Sequence, residues 1–233
     1  MAQVHPYKFT TSILSLAEEK GAQLVQGRCT SLNSTSVSYV SESGTSTLPA
    51  NTIIVTTGPW TPTLLPSIPI STSRAHSIVI EPAEQLPAEQ LPAEAVFFDY
   101  DDMHPELYSR PSSVYICGPT DSTHPLPSYA KDVVVLEKQI SQLETFAKKI
   151  STRLENGEVV VKQACYLPFH QRGFPAIGWI TSPKPGRAGV FVAAGHAVWG
   201  ISMAPGTGKV VAEMVMAGNK GAGDNWDVRK LAP

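Results

Sequence analysis

The strongest constraint on this 233-residue chain comes where RAGVFVAAGH, ending at His196, runs into AVWGISMAPGTG before a helical pattern resumes at Thr207 and runs to Ala217, just before Gly218. The apolar run does not alternate, which suits a strand covered on both faces. TIIVTTGPW behaves alike: it is β-branched without a break from Thr52 to Thr57 and closes on Gly58. Two such runs predict a parallel sheet flanked by helices, an α/β fold. The GTGK within the later stretch is not a phosphate loop. Met203 stands where that loop needs its first glycine, and Val210 replaces the hydroxyl that would hold magnesium. The spacing instead predicts strand, glycine-rich turn and helix, with Gly200, Gly206 and Gly208 letting a large group approach the backbone. Unpaired amides at a helix start suit an anion, or a planar group that becomes anionic.

Around these two runs the chain alternates its patterns. After Pro6, the apolar residues Phe9, Ile13, Leu16 and Ala17 recur at helical spacing, and Lys20-Gly21 stops the helix. AQLVQGRCTSL and VSYV read as strands, and Ser43-Gly44 is the turn before a third. Prolines crowd between Pro59 and Pro69, which predicts a crossing between domains. SRAHSIVIEP restarts as a strand, and the PAEQL repeat from Pro82 to Glu94 predicts an exposed loop. ELYSRPSSVYICG reads as a hairpin turning at Pro111-Ser112-Ser113. Leu136, Ile140, Leu143, Ile150 and Leu154 predict one long amphipathic helix, and VVVKQACYLP a further strand.

Composition narrows the function. The net charge is −2 with 16% charged residues, and no basic stripe points to nucleic acid. The longest apolar stretch, Gly189 to Ile201, contains His196 and is too short to span a bilayer. Cys29, Cys117 and Cys165 are far apart and odd in number, which predicts neither a disulfide framework nor a metal cluster. His76, His104, His124 and His170 share no metal-ligand spacing, so no metal is expected. A reducing, cytoplasmic setting is the expectation.

VFVAAGHAVWGISMAPGTGKVVAEMVMAG resembles the closing segment of the FAD-dependent amino-acid oxidase family, which includes glycine, sarcosine and D-amino-acid oxidases. HPYKFTTSILSLAEEKGA, QGRCTSL, TIIVTTGPW, SRAHSIVI, ELYSRPSSVYICG and ACYLPFHQRGFPAIG follow the family's order upstream, so the resemblance covers nearly the whole chain. It resembles the fungal members most closely. The resemblance implies FAD as cofactor, bound along His196, Ala197, Val198, Trp199, Gly200, Ile201 and Ser202, with the amides of Gly200, Ile201 and Ser202 nearest the ring edge that gains negative charge. It also places Cys29, through its backbone, at the adenine, and Gly58 beside the cofactor. On the residues alone, His196 reads as a satisfied interior histidine and Trp199 as a core aromatic. The resemblance alone gives them a cofactor role.

Two departures shape the expectation. No Gly-x-Gly-x-x-Gly follows any predicted strand, so the chain is expected to be the C-terminal part of a longer protein, to hold FAD weakly or not at all, and to be inactive alone. The expected architecture is an incomplete Rossmann-like, parallel-sheet FAD domain from residues 1–68 and 171–233, with a mixed-sheet α+β substrate domain at 69–170. Many relatives carry an arginine for the substrate carboxylate where this chain has Leu167. Tyr108 matches a substrate-facing tyrosine, and Arg110 and Arg172 are candidate replacements for the clamp or surface residues. The resemblance therefore implies hydride transfer from a C–N bond of a small amine or amino acid, with molecular oxygen as acceptor. The alternative is a non-catalytic flavin-fold protein in interaction or trafficking.

Overall fold

The computed structural model describes residues 3–83, 93–181, 189–217 and 231–233. The core of the PAEQL repeat and Gly218 lie outside the described residues. The chain divides into two compact units, one of Pro6–Thr72 with Leu167–Pro233, the other of Met1–His5 with Ser73–Tyr166.

The first unit opens with α1 (Pro6–Glu18), β1 (Arg28–Leu32), β2 (Ser36–Ser41), β3 (Gly44–Pro49), β4 (Thr52–Val55) and α2 (Thr61–Leu64). β5 (Ile70–Glu81) leads into the second unit, which holds β6 (Ala95–Phe97), β7 (Glu106–Ser109), β8 (Val114–Asp121), α3 (Glu137–Ile150) and α4 (Thr152–Glu155). β9 (Glu158–His170) returns to the first unit, completed by β10 (Ala176–Thr181), β11 (Gly189–Ala194) and α5 (Gly200–Ala217).

β11 explains its own sequence. It is the middle strand of a three-stranded sheet in the order β10-β11-β4, parallel to β4 and antiparallel to β10. Phe191 and Ala193 pack with Val210 and Val211 of α5, whereas Val190, Val192 and Ala194 pack with Ile53, Val55, Leu65 and Ile68. Both faces are covered, so the run cannot alternate. β4 departs from that expectation. Ile53 and Val55 are buried, but Ile54 is 43% exposed, because β4 is the edge strand and its second face is open.

Four other elements differ from their sequence patterns. β1 begins only at Arg28, because its partner β2 ends at Ser41, one residue past the Arg28↔Val40 pair. The long helix breaks at Ser151, whose backbone is extended and whose hydroxyl accepts from Arg153 N to start α4, so Leu154 sits on a separate turn. α1 forms as expected, yet none of its residues is buried and Ile13 and Leu16 are exposed. α5 starts at Gly200, well before Thr207, and passes through Pro205. Residues 201–206 are all exposed, so the proline ring has room and the helix gives up the one bond that Pro205 cannot donate.

In the second unit a five-stranded sheet runs in the order β6-β7-β8-β5-β9. Ile78, Ile80, Val114 and Ile116 present one face to Ile140, Leu143, Phe146 and Ala147 of α3 and to Leu154. A buried ion pair anchors the segment after β8. Arg74 reaches Asp121 at 3.1 Å and donates to the Val134 carbonyl at 2.8 Å, and its side chain is 3% exposed. The Thr123 hydroxyl and amide, then His124 and Arg74, hold the Asp121 carboxyl far below the usual carboxylate range.

Candidate functional site

The parallel pairing of β4 with β11 brings two strand-to-helix turns to one end of one sheet, since Val55 lies in register with Val192. Each turn passes through a 3-10 segment, Gly58–Trp60 after β4 and Ala197–Trp199 after β11, and each then enters a helix. The residues before them, Thr57 and His196, share a backbone conformation, with φ,ψ of −81°,12° and −77°,1°. The first residue of each turn is left-handed, Gly58 at φ 51° and Ala197 at φ 50°. Matching hydrogen bonds close them, Trp60 N to Thr57 O at 3.0 Å and Trp199 N to His196 O at 2.9 Å. In open α/β sheets, the carboxyl ends of parallel strands are where ligands bind.

The second turn is the more constrained. Gly195 has φ 88°, and a Cβ there would lie 2.8 Å from His170 Cβ, so only glycine lets the turn pass His170. The His196 backbone bridges to Phe169, and its Nε2 lies 3.0 Å from the Thr207 hydroxyl on α5. Burial lowers the His196 pKa, and burial with the nearby Arg172 charge lowers that of His170. Both rings are thereby biased to the neutral form. The Ser202 hydroxyl donates to the Trp199 carbonyl at 3.0 Å, tying the turn to the first turn of α5.

The start of α5 is an open surface. Val198, Trp199, Ile201 and Met203 are exposed apolar residues, and a Cβ at Gly200, Gly206 or Gly208 would meet nothing within 4 Å. The helix behind is 18 residues long, so its first amides carry a full dipole end. An apolar wall beside the first amides of a helix suits a flat heteroaromatic group with one anionic edge. That fit is to the shape and donor set of a flavin.

The other expected residues lie as follows. Cys29 is on edge strand β1 of the β1-β2-β3 sheet, where the register slips between Cys29 and Ser31, and burial raises its thiol pKa. Leu167 is half-buried on β9 in the first unit. Tyr108 is in the second unit, on the sheet face opposite α3, where it donates to Glu106 Oε2 at 2.6 Å. Burial first, and Glu106 second, push its phenol pKa well up. Arg110 lies over the Tyr115 ring at 5.0 Å, and Arg172 donates to the Ala232 carbonyl. Sequence reasoning missed Glu106, Thr207 and the twin turns. Glu106 and Tyr108 are two apart on a strand, the one signal that could have paired them.

The sequence matches the family described as FAD dependent oxidoreductase over residues 1–214. A Schizosaccharomyces pombe protein named as an oxidoreductase is 35% identical over 236 residues, covering 93% of this chain and 60% of that protein. A Saccharomyces cerevisiae protein, also named as an oxidoreductase, is 31% identical, covering 93% of this chain and 48% of its own length. Among solved structures, iminodiacetate oxidase from Chelativorans superposes with a TM-score of 0.75 at 18% identity, covering 97% of this chain and 57% of that one. Glycine oxidase from Geobacillus kaustophilus superposes with a TM-score of 0.70 at 20% identity, covering 95% and 56%. The α/β fold is that of these enzymes. The chain spans roughly half to three fifths of the length of the relatives it matches.

Proposed function

The chain belongs to the FAD dependent oxidoreductase family, and we propose that it serves the oxidation of a C–N bond in a small amine or amino acid. The observation that carries this reading is the pair of matched turns at the carboxyl ends of β4 and β11, the second opening α5. FAD, when bound, supplies the acceptor for the hydride. The chain's own residues then have separable tasks. The amides of Gly200, Ile201 and Ser202 would hold negative charge. Val198 and Trp199, exposed as they are, would cover the ring and keep water from it. His196, tied to Thr207, would fix the turn, and Gly58 and Ala197 would let both backbones approach closely. Cys29 would meet the adenine through its backbone, which the slipped β1 register supports.

In this reading residues 1–68 and 171–233 form the FAD-binding part and 69–170 the substrate-binding part. Tyr108 and Leu167 are the candidate substrate contacts, molecular oxygen is the acceptor and the setting is cytoplasmic. No helix among the described residues is long and apolar enough to cross a membrane. Without a Gly-x-Gly-x-x-Gly turn for the pyrophosphate, these 233 residues hold FAD weakly and are inactive by themselves.

Leu167 favours a second reading, a flavin-fold protein of interaction or trafficking, because leucine cannot grip a substrate carboxylate. One experiment separates the two: peroxide release from the chain joined to a strand, Gly-x-Gly-x-x-Gly turn and helix, reconstituted with FAD and offered primary amines, secondary amines and amino acids. Turnover with any of them supports the oxidase. Flavin retained without turnover favours the second reading.

A further inference from the structure

β7 and β8 pair so that Glu106 faces Cys117 and Tyr108 faces Tyr115, with Phe97 of β6 opposite Glu106. Side chains two apart share a face. All five therefore lie on the sheet face that α3 does not cover, since Leu107, Val114 and Ile116 take the other. The aromatic rings form a shelf: Phe97 meets Tyr108 edge-on at 6.4 Å, and Tyr108 lies 6.0 Å from Tyr115. Phe97 at the rim is exposed.

Glu106 stands in this shelf half-buried, and among the described residues no Lys, Arg or His forms an ion pair with it. Tyr108 and, at 4.0 Å, the Cys117 thiol both address Oε2, and among the described residues no donor to Oε1 is found. Burial, then the charge of Glu106, push the Cys117 thiol up to about 12, so it is a neutral neighbour and brings no counter-charge. Among the described residues the Arg110 guanidinium lies over the Tyr115 ring at 5.0 Å, which shows that a ring of the shelf accepts a cation on its π face. A partly desolvated carboxylate without a cation is costly, and a cation from outside would relieve that cost.

We propose that the Glu106 carboxylate and the Tyr108, Tyr115 and Phe97 rings form a binding site for the ammonium group of an amine that lacks a carboxylate. The proposal rests on the amine-oxidation reading and narrows it, since the negative charge of Glu106 attracts the ammonium and repels an amino acid's carboxylate. Glu106 and Tyr108 are binding residues in this account. Neither is asked to move a proton.

The test uses the chain without flavin, so that it stands apart from FAD retention. Amide shifts of Tyr108 and Tyr115 would be followed while dimethylammonium or sarcosine is titrated at constant ionic strength. The proposal expects saturation by dimethylammonium at a Kd of roughly a millimolar, the ceiling for so small a ligand. Binding should weaken at least about tenfold in Glu106→Gln and for sarcosine, the scale of one charge-assisted contact. Tyr108→Leu removes one ring of the shelf, should weaken binding about threefold, the scale of one cation–π contact, and covers the case in which Glu106→Gln does not fold. Equal binding by a folded Glu106→Gln, tighter binding of sarcosine, or unweakened binding by a folded Tyr108→Leu each overturns it. Amine binding by a chain that fails to take up FAD would sustain this site and sink the flavin reading instead.

Discussion

Gly58 and Ala197 hold the same left-handed backbone, φ 51° and φ 50°, at the first position of two matching turns. One is a glycine and the other is not, so the strain differs. At Gly58 a Cβ would meet nothing within 4 Å. Gly58→Ala should therefore cost about 1 kcal/mol from the backbone alone. At Ala197 the reverse change to glycine should be neutral to stabilising by up to about 1 kcal/mol. Urea denaturation of both variants checks the pair.

Gly195→Ala should be far worse than Gly58→Ala. It adds to φ 88° a Cβ 2.8 Å from His170 Cβ, so both strain and overlap act. A loss of roughly 3 kcal/mol is expected, the sum of a left-handed penalty and an overpacking cost. Equal melting temperatures for the two alanine variants would contradict the account of this turn.

Thr207→Val keeps the shape of the residue and removes the hydroxyl 3.0 Å from His196 Nε2. The expected loss is about 1 kcal/mol. FAD affinity should fall in parallel, because the turn that precedes α5 loses its tie to the helix. Unchanged affinity at lower stability would separate His196 from the cofactor.

Arg74→Met leaves the Asp121 carboxylate half-abandoned in a place where its side chain is 9% exposed. His124 and Thr123 still address it, so the expected cost is about 3 kcal/mol, the low end for breaking a buried pair. The double variant Arg74→Met with Asp121→Leu should recover part of that loss, and a thermal melt of all three proteins measures it.

Acid should destabilise the chain through buried His76 and His170 and half-buried His196. Burial is the leading cause that lowers the pKa of His76, His170 and His196 below the ordinary value of 6.5. The unfolded chain thus takes protons first as pH falls. Their contribution is complete above pH 6.5 and is lost as pH falls through the folded values. The melting temperature should drop between pH 7 and pH 5. A flat or rising profile would show that these rings are not held neutral by the fold.

β11 was legible because its two faces are both covered, which imposes an unbroken apolar run. The turn after it was half legible. Gly200, Gly206 and Gly208 marked a close approach, but glycine and proline also masked the true start of α5, since local propensity counts them as breakers and an exposed helix face tolerates them. Ile54 reads like Ile53, and only the sheet's edge makes it exposed. Ala197 carries no sign of its left-handed backbone, which the surrounding turn imposes. Glu106 went unread because its meaning depends on pairing with β8, a tertiary fact that a four-residue strand does not carry.

The most direct test of the flavin reading is a titration of FAD into the 15N-labelled chain, followed by its backbone amide resonances. The account predicts weak, saturable shifts at Gly58, Gly200, Ile201 and Ser202, with the flavin lost on desalting. Absence of shifts at the α5 amides, or stoichiometric FAD retained after desalting, would contradict it.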